Sequence, residues 1–287
     1  MSDVFAEPIE ADEVAATARS LPALSQTTTQ IHAILADESF DIQDLLRVIS
    51  LDSSLAAKLL RMANSARHAG SQPTASLQEA LIRLGSGAIM TAAFAEIARP
   101  SDEIDLSSFQ LTAEQYWQHC ISAVAAAEEL SARNVAGFGP GFTVAVLLHD
   151  FGKTILARHI TPSRLRRMEA FRAANVGLSP VDVERRILGI DHAMAGGMVA
   201  RHWNLPSDVA TAIENHHNPC DWGQTLTNGV VLADQLAYES VGKQTFSLGA
   251  SEIVADAMLA LNLDDSTYES VAAASRSRYQ VLLNLFC

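Results

Sequence analysis

The chain has 287 residues, 48% of them hydrophobic, and a formal charge of -13. That supplies apolar matter for one large or two modest cores and excludes a disordered or collagen-like chain. The acidic balance argues against a protein that coats DNA or RNA, which needs clustered Lys and Arg. Three scattered cysteines, Cys120, Cys220 and Cys287, give neither a disulfide framework nor a Cys-rich zinc motif. With no apolar leader after Met1 and no long apolar span, the expectation is a cytoplasmic protein without a membrane segment.

Nearly every segment reads as helix, and strand alternation is almost absent, so the expected fold is all-α. Residues 1–20 start acidic and are expected to be only partly ordered. A helix is expected from Ser25 to Ala36. Asp41 caps the next, with Ile42, Leu45, Leu46 and Ile49 at helical spacing. Asp52 caps another, to about Ala66, with Leu55, Leu59 and Met62 on one face. This close pair suggests a helix-turn-helix, but only Arg47, Lys58, Arg61 and Arg67 would face phosphates, so ordinary packing is preferred. Ser76 and Glu79 form a candidate capping box, Gly85 suits the exit of that helix, and a further helix runs to about Ala98. Arg99 to Phe109 lacks periodicity. It marks the expected boundary between an N-terminal lobe, 21–110, and a second lobe, 111–287.

Thr112 and Gln115 make a second candidate box, opening a long helix through His119 to about Ala132. A Gly/Pro-rich break follows, from Asn134 to Gly141. Then comes the apolar run Val144-Ala145-Val146-Leu147-Leu148, which ends in His149-Asp150-Phe151-Gly152-Lys153. Thr161-Pro162 and Ser179-Pro180 each put a cap residue before a proline at the first helical position. Asp191 begins another helix and Pro206 the next, which ends near His216. Helices are also expected over Gly223–Ser240, about Ser251–Leu261 and Asp265–Phe286. Residues 153–201 carry nine of the twenty Lys and Arg against four acids. That run is either a solvated face or an anion-binding surface.

An apolar run ending in His149-Asp150 puts both side chains at depth, where an uncompensated charge is costly. A cation would compensate the carboxylate and use the imidazole nitrogen. His119, His192 and His216-His217 lie where neighbouring helices would bring them to this dyad. Asp234 sits within Val230-Val231-Leu232-Ala233-Asp234, where an aspartate is expensive unless paired or coordinated. Each alone has an ordinary meaning: a core histidine, a capping residue, a wet helix end, a salt-bridge partner.

As an ordered set they resemble the HD superfamily of metal-dependent phosphohydrolases, with His119, then His149-Asp150, then a late Asp234. His192 and His216-His217 extend this toward the HD-GYP branch. A fuller resemblance is to the HDOD family, the HD-related output domain of bacterial signalling. It rests on Leu21-Pro22-Ala23-Leu24, on Leu59-Leu60-Arg61-Met62-Ala63-Asn64-Ser65-Ala66, and on Ser76 to Gly85. It continues in Leu147 to Lys153, in Gly189-Ile190-Asp191-His192-Ala193 and in Trp203 to His217. The resemblance implies an N-terminal helical lobe followed by an HD-type helical bundle lobe. It implies the metal ligands His119, His149, Asp150, His192, His216, His217 and Asp234, with either or both of His216 and His217 coordinating.

Imidazoles and carboxylates without thiolates suit Fe, Mn or Zn, with Mg disfavoured, and the expectation is two divalent ions. Asp150 would bridge them and Lys153 would hold a phosphate oxygen; these two are the candidate catalytic residues. Asn218-Pro219-Cys220 replaces the Gly-Tyr-Pro signature, and Gln115 stands where a third-metal Glu is expected, so cyclic-di-GMP hydrolysis is not expected. The resemblance therefore implies a signal transduction or regulatory protein, binding signalling proteins in trans. The alternative is an active phosphomonoesterase or phosphodiesterase on a nucleotide or other phosphoester. A phosphate-containing small ligand suits both. Val271, Leu282, Leu283 and Phe286 offer the last helix either for a homodimer or for closing its own core.

Overall fold

Helices begin where short polar side chains accept the first free backbone N–H groups. The computed structural model describes residues 8–37, 39–65, 73–101, 103–133, 135–139, 141–218, 224–241 and 250–286. Ala66, Arg67, Asn134, the segment 219–223 with Cys220, and Cys287 lie outside the described residues. The first four helices are α1 (Ala11–Ser20), α2 (Gln26–Ala36), α3 (Ile42–Ile49) and α4 (Ser53–Ser65). Ser25, Asp41 and Asp52 accept from the backbone N–H groups of Thr28, Gln43 and Leu55. Leu45, Ile49, Leu55, Leu59 and Met62 are buried, so the paired helices α3 and α4 spend their apolar faces on packing.

α5 (Leu77–Ala98) starts at Ser76, whose hydroxyl accepts from the Glu79 N–H, while the Glu79 carboxylate pairs with Arg83. It is really two helices: Gly85 has φ 74° and ψ 171°, a left-handed φ that favours glycine. α5 meets the length and composition of a membrane-crossing helix, as apolar core helices also do. Its apolar residues Ile89, Met90 and Phe94 are instead buried, and it packs against α2, α4 and α7 (Gly141–Leu148).

Of the segment 1–20, residues 1–7 lie outside the described residues. The second half is α1, with Val14 and Ala18 buried and a backbone bond from Ile9 N–H to Leu188 O at 2.7 Å. Its helical signal is weak in the sequence, because Glu10 at the N-cap makes no side-chain bond. Contact with α8 (Gly152–Ala157) and α11 (His192–His202) orders it.

A 3-10 turn, Ser107–Phe109, leads to α6 (Ala113–Ala132), which opens with both limbs of the Thr112–Gln115 capping box. After α7 and α8 come α9 (Pro162–Ala174) and α10 (Pro180–Leu188), each with a proline in its first turn. Then follow α11, α12 (Ser207–Asn215), α13 (Thr225–Ser240), α14 (Ala250–Ala260) and α15 (Asp265–Phe286). There is no strand among the described residues. α6 is the central beam, packed against α7, α13 and α15. The apolar residues Val271, Leu282 and Phe286 of α15 are buried there, closing the chain's own core.

The basic stretch divides. Lys153 leaves the surface for the interior, Arg185 pairs with Asp191, Arg201 pairs with Glu214, and Arg172 donates to the Ser108 carbonyl at 2.8 Å.

Candidate metal centre

α7 and α8 meet at the turn His149-Asp150-Phe151, which points both metal-capable side chains inward. His119 comes from α6, His192 opens α11, His216-His217 follow α12, and Asp234 sits in α13. The structure brings all seven sequence-derived candidates together. Three overlapping groups have ligand atoms within 4.8 Å of one another: Asp150, His192, His216 and His217; His119, His149 and Asp150; His149, His216 and Asp234.

Asp150 is the hub. Its Oδ1 lies 3.1 Å from His192 Nε2 and 4.0 Å from His216 Nε2. Its Oδ2 lies 3.7 Å from both His119 Nε2 and His149 Nε2. On the far side Asp234 Oδ1 is 3.0 Å from His119 Nε2 and 3.3 Å from His149 Nε2. The buried ammonium of Lys153 donates to Asp150 Oδ2 at 2.6 Å. Burial opposes ionisation of Asp150, but Lys153 and the imidazoles of His149 and His192 hold its carboxyl well below the usual range.

Whether these side chains fit a metal is decided by where the imidazole protons sit. His149 Nδ1 is 2.6 Å from Val146 O, and His216 Nδ1 is 2.6 Å from Ile213 O. A carbonyl only accepts, so each Nδ1 carries the proton and, in the neutral ring, leaves Nε2 as a bare lone pair facing the cluster. His216 Nε2 and Asp234 Oδ1 are buried without a hydrogen bond of proper geometry. His192 Nε2 stands 2.9 Å from His217 Nε2, and His119 Nε2 stands 3.2 Å from His149 Nε2. Once each ring keeps its one proton on Nδ1, as a metal-binding histidine does, the facing Nε2 lone pairs repel, and buried orphan acceptors are costly. A cation relieves both, so the donor set fits divalent metal, and anchored Nδ1–H groups are what metal-binding histidines need.

Burial, with His149 and His192 nearby, pushes His216 down to about 3, so it stands neutral and ready to coordinate. Burial also opposes charge on His192, but the Glu184 carboxylate and the bonds to Asp150 and Glu184 carry it up to about 9. Below that pH His192 holds a proton that must leave before Nε2 can take a metal. Ion uptake should therefore release a proton, and apparent affinity should climb with pH, by up to about tenfold per unit, until roughly pH 9. Calorimetric titration with Mn2+ in buffers of different protonation enthalpy measures this. An affinity flat between about pH 7 and 9 would contradict it.

Sequence reasoning missed Glu184, which is fully buried and holds His192 at Nδ1. Its signal was positional. Val181, Glu184 and Leu188 share one face of α10, an acid on an apolar stripe. It also missed Tyr238, one turn after Asp234, whose ring lies against that of His119 with centroids 4.5 Å apart. Gln115 is spent on its capping box, with its side chain on the Thr112 N–H.

The cluster opens onto a cleft of about 300 Å³, at the small end of ligand pockets. Lys153, His192, His217 and Asp234 line it together with Arg172 and Arg185. Apolar side chains complete it, among them Phe109, Tyr238 and Val254.

Known proteins agree with this architecture. A curated protein of Treponema pallidum, described only as uncharacterized, is 24% identical over 199 residues, covering 69% of this chain and 38% of that one. The chain thus matches well under half the length of that relative. An HDOD domain protein from Geobacter sulfurreducens has a solved structure matching at TM-score 0.67, with 19% identity, over 96% of this chain and 98% of its own. A candidate phosphohydrolase from Shewanella amazonensis SB2B matches at TM-score 0.64, with 20% identity, over 94% and 98%. A candidate signal transduction protein from Marinobacter aquaeolei VT8 matches at 0.66, with 20% identity, over 96% of this chain and 64% of its own. At these identities the likeness speaks for the fold. The HDOD domain model itself matches residues 21–219, more than half of the sequence, and with that match the chain belongs to the HDOD family.

Proposed function

We propose that this is a signalling protein whose centre holds two divalent ions and whose cleft binds a phosphate-containing small ligand. One observation carries the reading: the Nε2 atoms of His119 and His149 face Asp150 Oδ2 and those of His192 and His216 face Oδ1, with the buried Asp234 carboxylate beside the first pair. His119, His149 and Asp234 would hold one ion with Asp150 Oδ2, and His192, His216 and His217 the other with Asp150 Oδ1. Such ions would supply Lewis acidity to phosphate oxygens and an activated water. Lys153 sits beside Asp150 at the cleft, a fixed positive charge for a phosphate oxygen. Arg172 would take a second anionic group. Output would pass to a separate cytoplasmic partner through the helical surfaces.

A second reading is a metal-dependent phosphohydrolase. It is favoured by the seven-residue set being whole and open to a cleft. One experiment separates the two. Purified chain is assayed for bound metal, then screened for phosphomonoesterase and phosphodiesterase turnover with Mn2+ or Fe2+. The first reading expects bound metal, binding of inorganic phosphate, and no turnover. Turnover abolished in Asp234→Ala would install the second. Asp234→Ala should lower metal content by at least one ion in either case; unchanged occupancy would remove Asp234 from the ligand set.

A further inference from the structure

The turn between α10 and α11 is held by a double clamp. Two adjacent residues of α10, Glu184 and Arg185, grip two adjacent residues at the start of α11, Asp191 and His192. Arg185 Nε donates to Asp191 Oδ2 at 2.5 Å, and Asp191 Oδ1 caps α11 by accepting from Met194 N–H at 2.8 Å. Glu184 Oε2 accepts twice from His192, from the backbone N–H at 2.8 Å and from Nδ1 at 2.7 Å. One oxygen thus fixes both the main chain and the ring of the same residue. Its other oxygen, Oε1, is buried without a partner. A carboxylate kept at zero exposure, with half its acceptor capacity unused, costs stability. An apolar residue there would pack more cheaply, so packing does not account for it.

We infer that Glu184 is a positioning residue that sets the second metal site by holding His192 with its proton on Nδ1 and its Nε2 lone pair toward Asp150 Oδ1. The inference rests on the two-ion reading above. The ring's bond to a full carboxylate also makes its Nε2 a stronger donor, as carboxylate–histidine–metal triads do. The first site gains nothing from Glu184. His149 leans on the Val146 carbonyl, and Asp234 is a ligand without such an intermediary. The expected effect is therefore lopsided.

The test uses the full chain, stripped with chelator and titrated with Zn2+ by calorimetry. Wild type should show two sites. Glu184→Gln keeps an oxygen that accepts both bonds but removes the charge. It should weaken the second site by about tenfold and leave the first unchanged; Glu184→Ala should weaken it by up to about a hundredfold. In the Zn2+-loaded protein the His192 Nδ1–H proton should give a downfield resonance, shifted upfield in Glu184→Gln and lost in Glu184→Ala. A purely structural Glu184 would lower thermal stability and weaken both sites alike. Equal weakening of both sites, or a second site untouched in Glu184→Gln, overturns the inference. A wild-type chain that binds fewer than two ions overturns the two-ion reading instead.

Discussion

Asp150→Asn should strip the protein of both metal ions at once, an effect no other single ligand should match. The reason is the division of labour between its oxygens. Oδ1 faces His192 and His216, and Oδ2 faces His119 and His149. Asparagine keeps the shape but offers one neutral acceptor, so neither half of the site keeps a charged ligand in common. The substitution also leaves Lys153 buried with its 2.6 Å partner neutralised. Breaking one side of a buried ion pair typically costs about 3–5 kcal/mol. Metal loss alone is therefore ambiguous, since an unfolding chain loses metal too. Asp150→Asn combined with Lys153→Met removes both charges and should recover most of the thermal stability while metal content stays near zero. Melting in chelator and metal analysis of the same preparations read the two effects separately. Two ions retained by Asp150→Asn would end the assignment of Asp150 as the shared ligand.

Much of the site was legible because its ligands sit at punctuation marks of the sequence. His149-Asp150 ends an apolar run, His192 follows a capping Asp191, His216-His217 ends a helix, and Asp234 interrupts a buried stripe. Each breaks a local rule, and broken local rules gather at functional sites. The helices were legible for the matching reason: Ser25, Asp41, Asp52, Thr112, Thr161, Ser179 and Asp191 all accept a backbone N–H as their types predict. What stayed hidden depends on contact between distant segments. Glu184 looked like one acid countering a run of arginines, because its meaning lies in a bond across to α11. α1 shows only Val14 and Ala18 as a stripe, and its order comes from α8 and α11. The apolar length of α5 escaped notice because Gly85 breaks it into two shorter runs. Gly152 was visible only as a residue after the dyad, yet it sets how close two helices lie.

That closeness yields the second large effect. A Cβ on Gly152 would stand 1.9 Å from the His192 carbonyl oxygen and 2.7 Å from the Gly196 nitrogen. Both obstacles are backbone, so no rotamer change relieves them. α8 and α11 must separate or the turn must tilt. Overpacking of a tight interior costs about 1–3 kcal/mol and sometimes more, and a clash with main chain belongs at the upper end. For a chain of this size, ~3 kcal/mol corresponds to a melting point lowered by roughly 6–12 °C. The consequence for the site follows from direction. Gly152 lies two residues after Asp150 and touches His192, one of the second group of ligands. Separation there lengthens the 3.1 Å approach of Asp150 Oδ1 to His192 Nε2 while leaving the His119–Asp234 contact in place. Gly152→Ala should therefore lose the ion on the His192 side first. Gly139→Ala is the matched control, because nothing lies within 4 Å of its added Cβ; it should melt like wild type or slightly higher. Calorimetric melting and metal analysis of both variants check this, and a Gly152→Ala protein as stable and as fully loaded as its control would show that the helices do not lie this close.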